Sequence, residues 1–138
     1  MIKPLLPAAP LLLLLAVPAN SAAPAPAVVP LAELSAAVRC SALFGIVAGE
    51  QARGVADAQR FPPLAERGRE FFVITGARLM DAEGLDRAAM QSRMQAEVAR
   101  IQAESAAAPD ARGFVDAAMQ PCVALLNATI PARLPPPR

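Results

Sequence analysis

The sequence predicts an all-α domain, a small up-and-down bundle of about four helices. Three observations support this fold class. The 138-residue chain is 55% hydrophobic but only 4% aromatic, without Trp or Tyr, and aromatic residues are among those that β-sheets favour. Apolar residues recur with the helical period between Pro and Gly breaks. The chain also has two cysteines, one near each end of this apolar pattern, which indicates that its ends are linked.

The first segment of the chain has the pattern of a secretory signal peptide. Lys3 precedes an apolar run from Leu11 to Val17, and Pro18 then interrupts the run before small residues. The run is too short to cross a bilayer with a hydrocarbon core of about 30 Å. We therefore assign residues 1–21 to a signal peptide and expect no transmembrane segment in the mature chain.

Cleavage is predicted after Ser21, with cleavage after Ala27 as the alternative, and residues 22–30 form a Pro/Ala-rich leader. The chain is thus expected to be exported. Lys3 is its only lysine, and the remaining cations are arginines. This bias, with abundant Ala and Pro, is typical of a GC-rich bacterial genome. The expected location is the periplasm of a Gram-negative bacterium, with the extracellular space as the alternative.

The first helix is predicted from Leu31 to Arg53, with an apolar stripe wide enough to be buried on two sides. Within it, Ser41, Gly45 and Gly49 repeat every four residues. Small residues at this spacing allow two helix backbones to approach closely. These three positions are therefore predicted to form a close helix contact, either inside the domain or with another molecule.

Pro and Gly residues divide the following sequence into three more helices. Gly84 suits the left-handed position after a helix end, and Asp86 and Asp110 suit the N-cap positions of the helices that follow them. The predicted helices span approximately Pro63–Met80, Arg87–Ala107 and Ala111–Asn127.

The last helix contains a proline, Pro121, which lacks the backbone N–H that a helix interior needs. We expect a kink there, or a break into two short helices. Residues 131–138 are rich in proline and are predicted to be a disordered tail. The helical domain is accordingly placed at residues 31–130.

Cys40 and Cys122 are the only cysteines, and both lie on apolar faces of predicted helices. Because exported proteins meet an oxidising environment, a disulfide is the expected state of this pair. Redox-active pairs usually lie close together as Cys-x-x-Cys, and these cysteines are far apart in the sequence. The sequence therefore predicts a structural Cys40–Cys122 disulfide between the first and last helices.

Composition argues against several classes of function. The chain contains no histidine, which is the commonest general base and metal ligand. Its formal net charge of +1 gives no electrostatic basis for binding nucleic acid. Methionines one helical turn apart, such as Met90 and Met94, are more often core residues than ligands of a soft metal. We predict no catalytic residues, no metal site and no cofactor.

Two functional hypotheses remain. The leading one is a non-enzymatic protein that offers an apolar groove to a protein partner in the cell envelope, as an adaptor, an inhibitor or a chaperone-like factor. The alternative is a carrier that encloses a lipid or another apolar small molecule inside the bundle. The predicted cavity residues for the carrier are Phe44, Phe71, Phe72, Met90 and Met94.

Overall fold

The computed structural model describes residues 31–131, and all regular structure in this range is helical. The predicted all-α class is confirmed. The predicted signal peptide and leader lie outside the described residues, as does the tail after Pro131. The described helices are α1 Leu31–Ala52, α2 Ala56–Gln59, α3 Arg67–Glu83, α4 Arg87–Ala107 and α5 Ala111–Thr129.

The helix α1 occupies the centre of the fold and contacts each of the other four helices. Among residues 32–52, eight side chains are buried, including the adjacent Leu43 and Phe44, which lie on different sides of the helix. By length and composition, Ala32–Ala52 also meets the criteria for a membrane span, although 44% of the tested window is buried in the fold. A core helix meets the same criteria, and the burial of α1 favours the core role.

Phe44 of α1 and Phe71 of α3 meet edge to face in the main core, with ring centroids 5.3 Å apart and an interplanar angle of 79°. This is a favourable aromatic geometry, and each residue is 1% exposed. A second, smaller core cluster lies near the start of α1. It consists of Leu34, Val38, Leu79 and Met90.

The disulfide predicted between Cys40 and Cys122 is present. Its Cα atoms are 5.1 Å apart, and both residues are buried. The helix α5 continues through Pro121 to Thr129, so the predicted alternative of two short helices is not observed. Pro121 has no N–H to donate to the backbone carbonyl of Ala117, four residues earlier. Both residues are exposed, so water can take the place of the missing donor.

Two of the three predicted helix-end signals are confirmed. Gly84 adopts the left-handed conformation, with φ of 65°, and the Asp86 carboxylate accepts a 2.8 Å hydrogen bond from the Ala89 N–H. Asp110 is the N-cap residue of α5, but its side chain makes no capping hydrogen bond. Its backbone carbonyl instead accepts a hydrogen bond from the N–H of Phe114 at 3.0 Å.

The third helix, α3, begins at Arg67 and not at Pro63 as predicted. The cause is the side chain of Gln51, at the end of α1. Its amide N–H groups lie 3.0–3.2 Å from three carbonyl oxygens of the connection, and its Oε1 accepts a hydrogen bond from the N–H of Leu64. These bonds hold the chain in an irregular path up to Leu64, which delays the start of the helix.

The disulfide is expected to provide a large part of the free energy of unfolding, because its ends are 82 residues apart. In the double variant Cys40→Ala/Cys122→Ala, we expect the free energy of unfolding to fall by about 4 kcal/mol through loop-closure entropy. Urea denaturation of the oxidised protein and the variant measures this difference. The reduced wild-type protein serves as a control: it keeps both buried sulfur atoms, so a further loss in the variant is the packing cost of removing them. A loss below about 1 kcal/mol would contradict the role assigned to the cross-link.

Candidate functional site

The antiparallel pair α3 and α4 packs closely at one end and is separated by a groove at the other. Near the connecting turn, a Cβ atom placed on Gly76 would lie only 3.3 Å from the Cε of Met90. Arg93 also forms an ion pair with Glu83 there, at 3.6 Å. Farther from the turn an open groove lies between the two helices, with α1 as its floor. We call this feature the α3/α4 groove.

The α3/α4 groove has a volume of about 270 Å³ and a predominantly apolar lining. Small residues of α1 dominate its floor, whereas larger side chains from α3 and α4 form its walls. The lining residues are Ser41, Ala42, Phe44, Gly45, Ala48, Leu64, Ala65, Gly68, Arg69, Phe72, Met94 and Val98.

The small residues predicted to form a close helix contact occupy three different environments. Ser41 is buried, Gly45 is exposed and Gly49 is half-buried. A Cβ atom on Gly45 would have no neighbour within 4 Å, and one on Gly49 would meet only the Arg53 side chain at 3.7 Å. In the described part of the chain, therefore, no second helix packs against Gly45, which lies open in the groove.

The structure places the close approach of helices at two glycines of α3 instead. A Cβ atom on Gly68 would lie 3.2 Å from the Cβ of Phe44, so this glycine allows α3 to pack on α1. Gly76 performs the same role toward Met90 of α4. Both glycines are buried. Glycine spacing along α1 gave no information about these contacts, because their partners are distant in sequence.

Ser41 contributes a polar group to the floor of the groove. The residue is 4% exposed, and its hydroxyl oxygen is buried with no hydrogen-bond partner among the described residues. A buried hydroxyl without a partner is costly, and native structures contain few such groups. This hydroxyl is therefore an unsatisfied group inside the floor, and it is not exposed at the surface of the groove.

The two rims of the groove differ in character. On α3, the rim carries Phe72, which is 38% exposed, and the charged side chain of Arg69. On α4, exposed neutral amides flank Val98 at helical spacing; they are Gln91, Gln95 and Gln102. An apolar centre with a polar rim is the usual anatomy of a protein-binding surface.

The structure divides the five predicted cavity residues among different sites. Phe44, Phe72 and Met94 line the α3/α4 groove. Phe71 belongs to the main core and Met90 to the smaller cluster. A separate cavity of about 40 Å³, partly lined by Phe71, lies between α1, α3 and α5. It has room for one or two water molecules.

Ion pairs outside the α3/α4 groove link α4 to α1. Arg39 of α1 contacts Glu97 at 3.3 Å and Glu104 at 2.5 Å, and Arg100 lies within 3.2 Å of both carboxylates. The hydrogen bond from Arg39 is the main cause that lowers the pKa of the Glu104 carboxyl, with the charges of Arg39 and Arg100 acting in the same direction. This network fixes the position of the α4 wall.

Acidic side chains in the described residues do not form a metal-binding cluster. Sequence reasoning missed the position of Arg69 in the groove and the glutamines beside Val98, because both depend on which faces of α3 and α4 are turned toward the groove. Comparison with known proteins found no matching family model, no similar curated protein and no similar solved structure. The fold and the site therefore define the class only as a small disulfide-linked helical bundle with an open apolar groove.

The two glycine environments predict opposite effects of adding a methyl group. Gly45→Ala should raise the free energy of unfolding by about 0.5–1 kcal/mol, because alanine is the better helix former and meets no neighbour. Gly68→Ala should lower it by about 1 kcal/mol, because overpacking against Phe44 exceeds the gain in helix propensity. Urea denaturation checks both values. If the two substitutions changed the free energy of unfolding by the same amount in the same direction, the distinction between an open Gly45 and a closely packed Gly68 would be refuted.

The unpartnered hydroxyl of Ser41 predicts that its removal stabilises the unliganded protein. Ser35 is an exposed serine of the same helix, so Ser35→Ala measures the helix-propensity contribution alone. We expect Ser41→Ala to raise the free energy of unfolding by about 1 kcal/mol more than Ser35→Ala does. Thermal and urea denaturation provide the comparison. A lower stability for Ser41→Ala would show that the hydroxyl is hydrogen-bonded.

Proposed function

We propose that this protein is an exported, non-enzymatic binding protein that holds an apolar segment of a protein partner in the α3/α4 groove. The observation that carries this proposal is the open floor at Gly45. A helix backbone in the core of the fold is uncovered there between two apolar walls. Burying such a surface is favourable, and the partner's segment provides the cover.

The composition of the groove supports binding more than catalysis. Its lining contains one hydroxyl group, from Ser41, and one charged side chain, from Arg69; the other residues are apolar or glycine. These two groups form no arrangement of nucleophile, base and orienting residue. Phe72 adds a large, partly exposed aromatic side chain at the rim, a residue suited to anchor a partner.

The covalent structure supports an extracytoplasmic location. Disulfides persist in oxidising compartments, and this one is a buried cross-link between distant parts of the chain. Together with the sequence pattern of residues 1–21, it favours the periplasm of a Gram-negative bacterium. The partner is accordingly sought among proteins of the cell envelope.

The carrier hypothesis keeps one specific observation in its favour. The groove volume of about 270 Å³ approaches the lower end of small-molecule sites, at about 300 Å³. The groove is open at the surface, however, and the interior cavity beside Phe71 is far smaller. Native mass spectrometry of the exported protein distinguishes the two functions, because a carrier retains a small apolar molecule of defined mass.

Photo-crosslinking tests the protein-binding proposal directly. The photoreactive residue p-benzoylphenylalanine replaces Phe72 at the groove or, as a control, Val55 outside it; the two positions are equally exposed, at 38% each. We expect a defined cross-linked partner only from position 72. Adding Gly45→Leu should reduce the yield of the cross-linked product from position 72 about tenfold. The leucine side chain fills the floor of the groove, and a tenfold weaker binding corresponds to about 1.4 kcal/mol.

The Gly45→Leu variant should remain folded, since position 45 has open space around its Cβ, and circular dichroism with thermal unfolding verifies this. Equal cross-linking from positions 55 and 72 would contradict the proposal. Cross-linking that is unchanged in folded Gly45→Leu would also contradict it.

A further inference from the structure

Arg69 is the one charged residue in the lining of the α3/α4 groove. It is exposed and forms no ion pair within the part of the chain that the structure describes. On the α4 side, Met94 and Val98 line the groove, and the exposed residues at helical spacing from Val98 include the uncharged Gln91, Gln95 and Gln102. An occupant of the groove therefore meets a single positive charge, located on the α3 side.

Carboxylates also lie near Arg69 on α3. Glu66 and Glu70 line a neighbouring depression together with Val73 and Ile74, and Arg69 borders both that depression and the groove. Neither carboxylate lines the groove itself. The guanidinium group is thus the charge that the groove presents.

The floor of the groove restricts the shape of the occupant. It extends along α1 from Ser41 to Ala48, a length of about 10 Å or two helical turns. The open position at Gly45 allows another backbone to approach closely, as small residues do where two helices pack. The hydroxyl oxygen of Ser41 has almost no accessible surface, so the floor presents apolar groups and the backbone at Gly45 to the occupant.

We infer that the occupant is a helical segment of a protein partner that places small residues against Gly45 and an acidic side chain against Arg69. This inference rests on the proposed function and specifies the chemistry of its partner. A fatty-acid anion combines apolar and acidic groups as well. The floor is two helical turns long and is open at Gly45, where the backbone of a second helix can approach that of α1. This favours a helix as the occupant over an acyl chain, which has no peptide backbone.

The test uses helical peptides and the oxidised, exported protein. One peptide has 16 residues, with Ala and Leu on one face and a single Glu at the edge of that face. Two matched peptides carry Gln or Lys in place of the Glu. Binding is measured by fluorescence anisotropy for the wild type, for Arg69→Gln and for Arg78→Gln, a control on the opposite side of α3 that lines a different cavity.

We expect the wild type and Arg78→Gln to bind the Glu peptide about two- to fivefold more tightly than the Gln peptide, the range for one exposed ion pair. The Lys peptide should bind most weakly. In Arg69→Gln, the Glu and Gln peptides should bind equally. Increasing the salt concentration should reduce the wild-type preference, because ions screen exposed charges.

The remaining outcomes separate failure of this inference from failure of the proposed function. Equal binding of the three peptides to the wild type, or tightest binding of the Lys peptide, would overturn the acidic-helix inference and leave the groove as a protein-binding site. A third outcome is that no peptide binds, whereas sodium dodecanoate binds to the wild type and not to Gly45→Leu. This outcome would overturn both the acidic-helix inference and the proposed function, in favour of a carrier. If neither the peptides nor dodecanoate bind, the acidic-helix inference and the proposed function are also overturned.

Discussion

The burial of α1 on several sides is the constraint on which the rest of the structure depends. Its apolar faces are too wide for one neighbouring helix to cover, so α3, α4 and α5 each pack against it. The disulfide from Cys40 to Cys122 fixes α5 on one side. The hairpin of α3 and α4 covers the remaining side, but its two helices are separated near Gly45. The groove is the part of α1 that this arrangement leaves open.

Local sequence signals predicted the helices well, because their causes lie within a few residues. Gly84 and Asp86 end and begin helices through backbone conformation and capping, and the cysteine pair followed from the count of two. The start of α3 was not predictable in this way. It depends on hydrogen bonds that the Gln51 side chain donates to carbonyl groups and accepts from the N–H of Leu64, 7 to 13 residues along the chain.

The candidate site was predictable only in its chemistry. The sequence indicated an apolar groove and a stripe of small residues, but Gly45 and Gly68 look alike in sequence. Their different roles depend on which helix faces are turned toward each other: a Cβ atom on Gly68 would meet Phe44, whereas one on Gly45 would meet no atom within 4 Å. The carrier interpretation likewise grouped Phe71 with Phe72, although adjacent residues of a helix point about 100° apart and only Phe72 reaches the groove.

The side-chain amide of Gln51 has a mechanical consequence for the groove. It joins the last turn of α1 to the N–H of Leu64, and Leu64 lines the groove. The floor and the adjoining end of the α3 wall are therefore linked by short-range hydrogen bonds that salt does not screen. The α4 wall is held partly by the ion pairs of Arg39, which ions in solution weaken. We therefore expect raised ionic strength to weaken the attachment of the α4 wall but not the connection between the floor and the α3 wall.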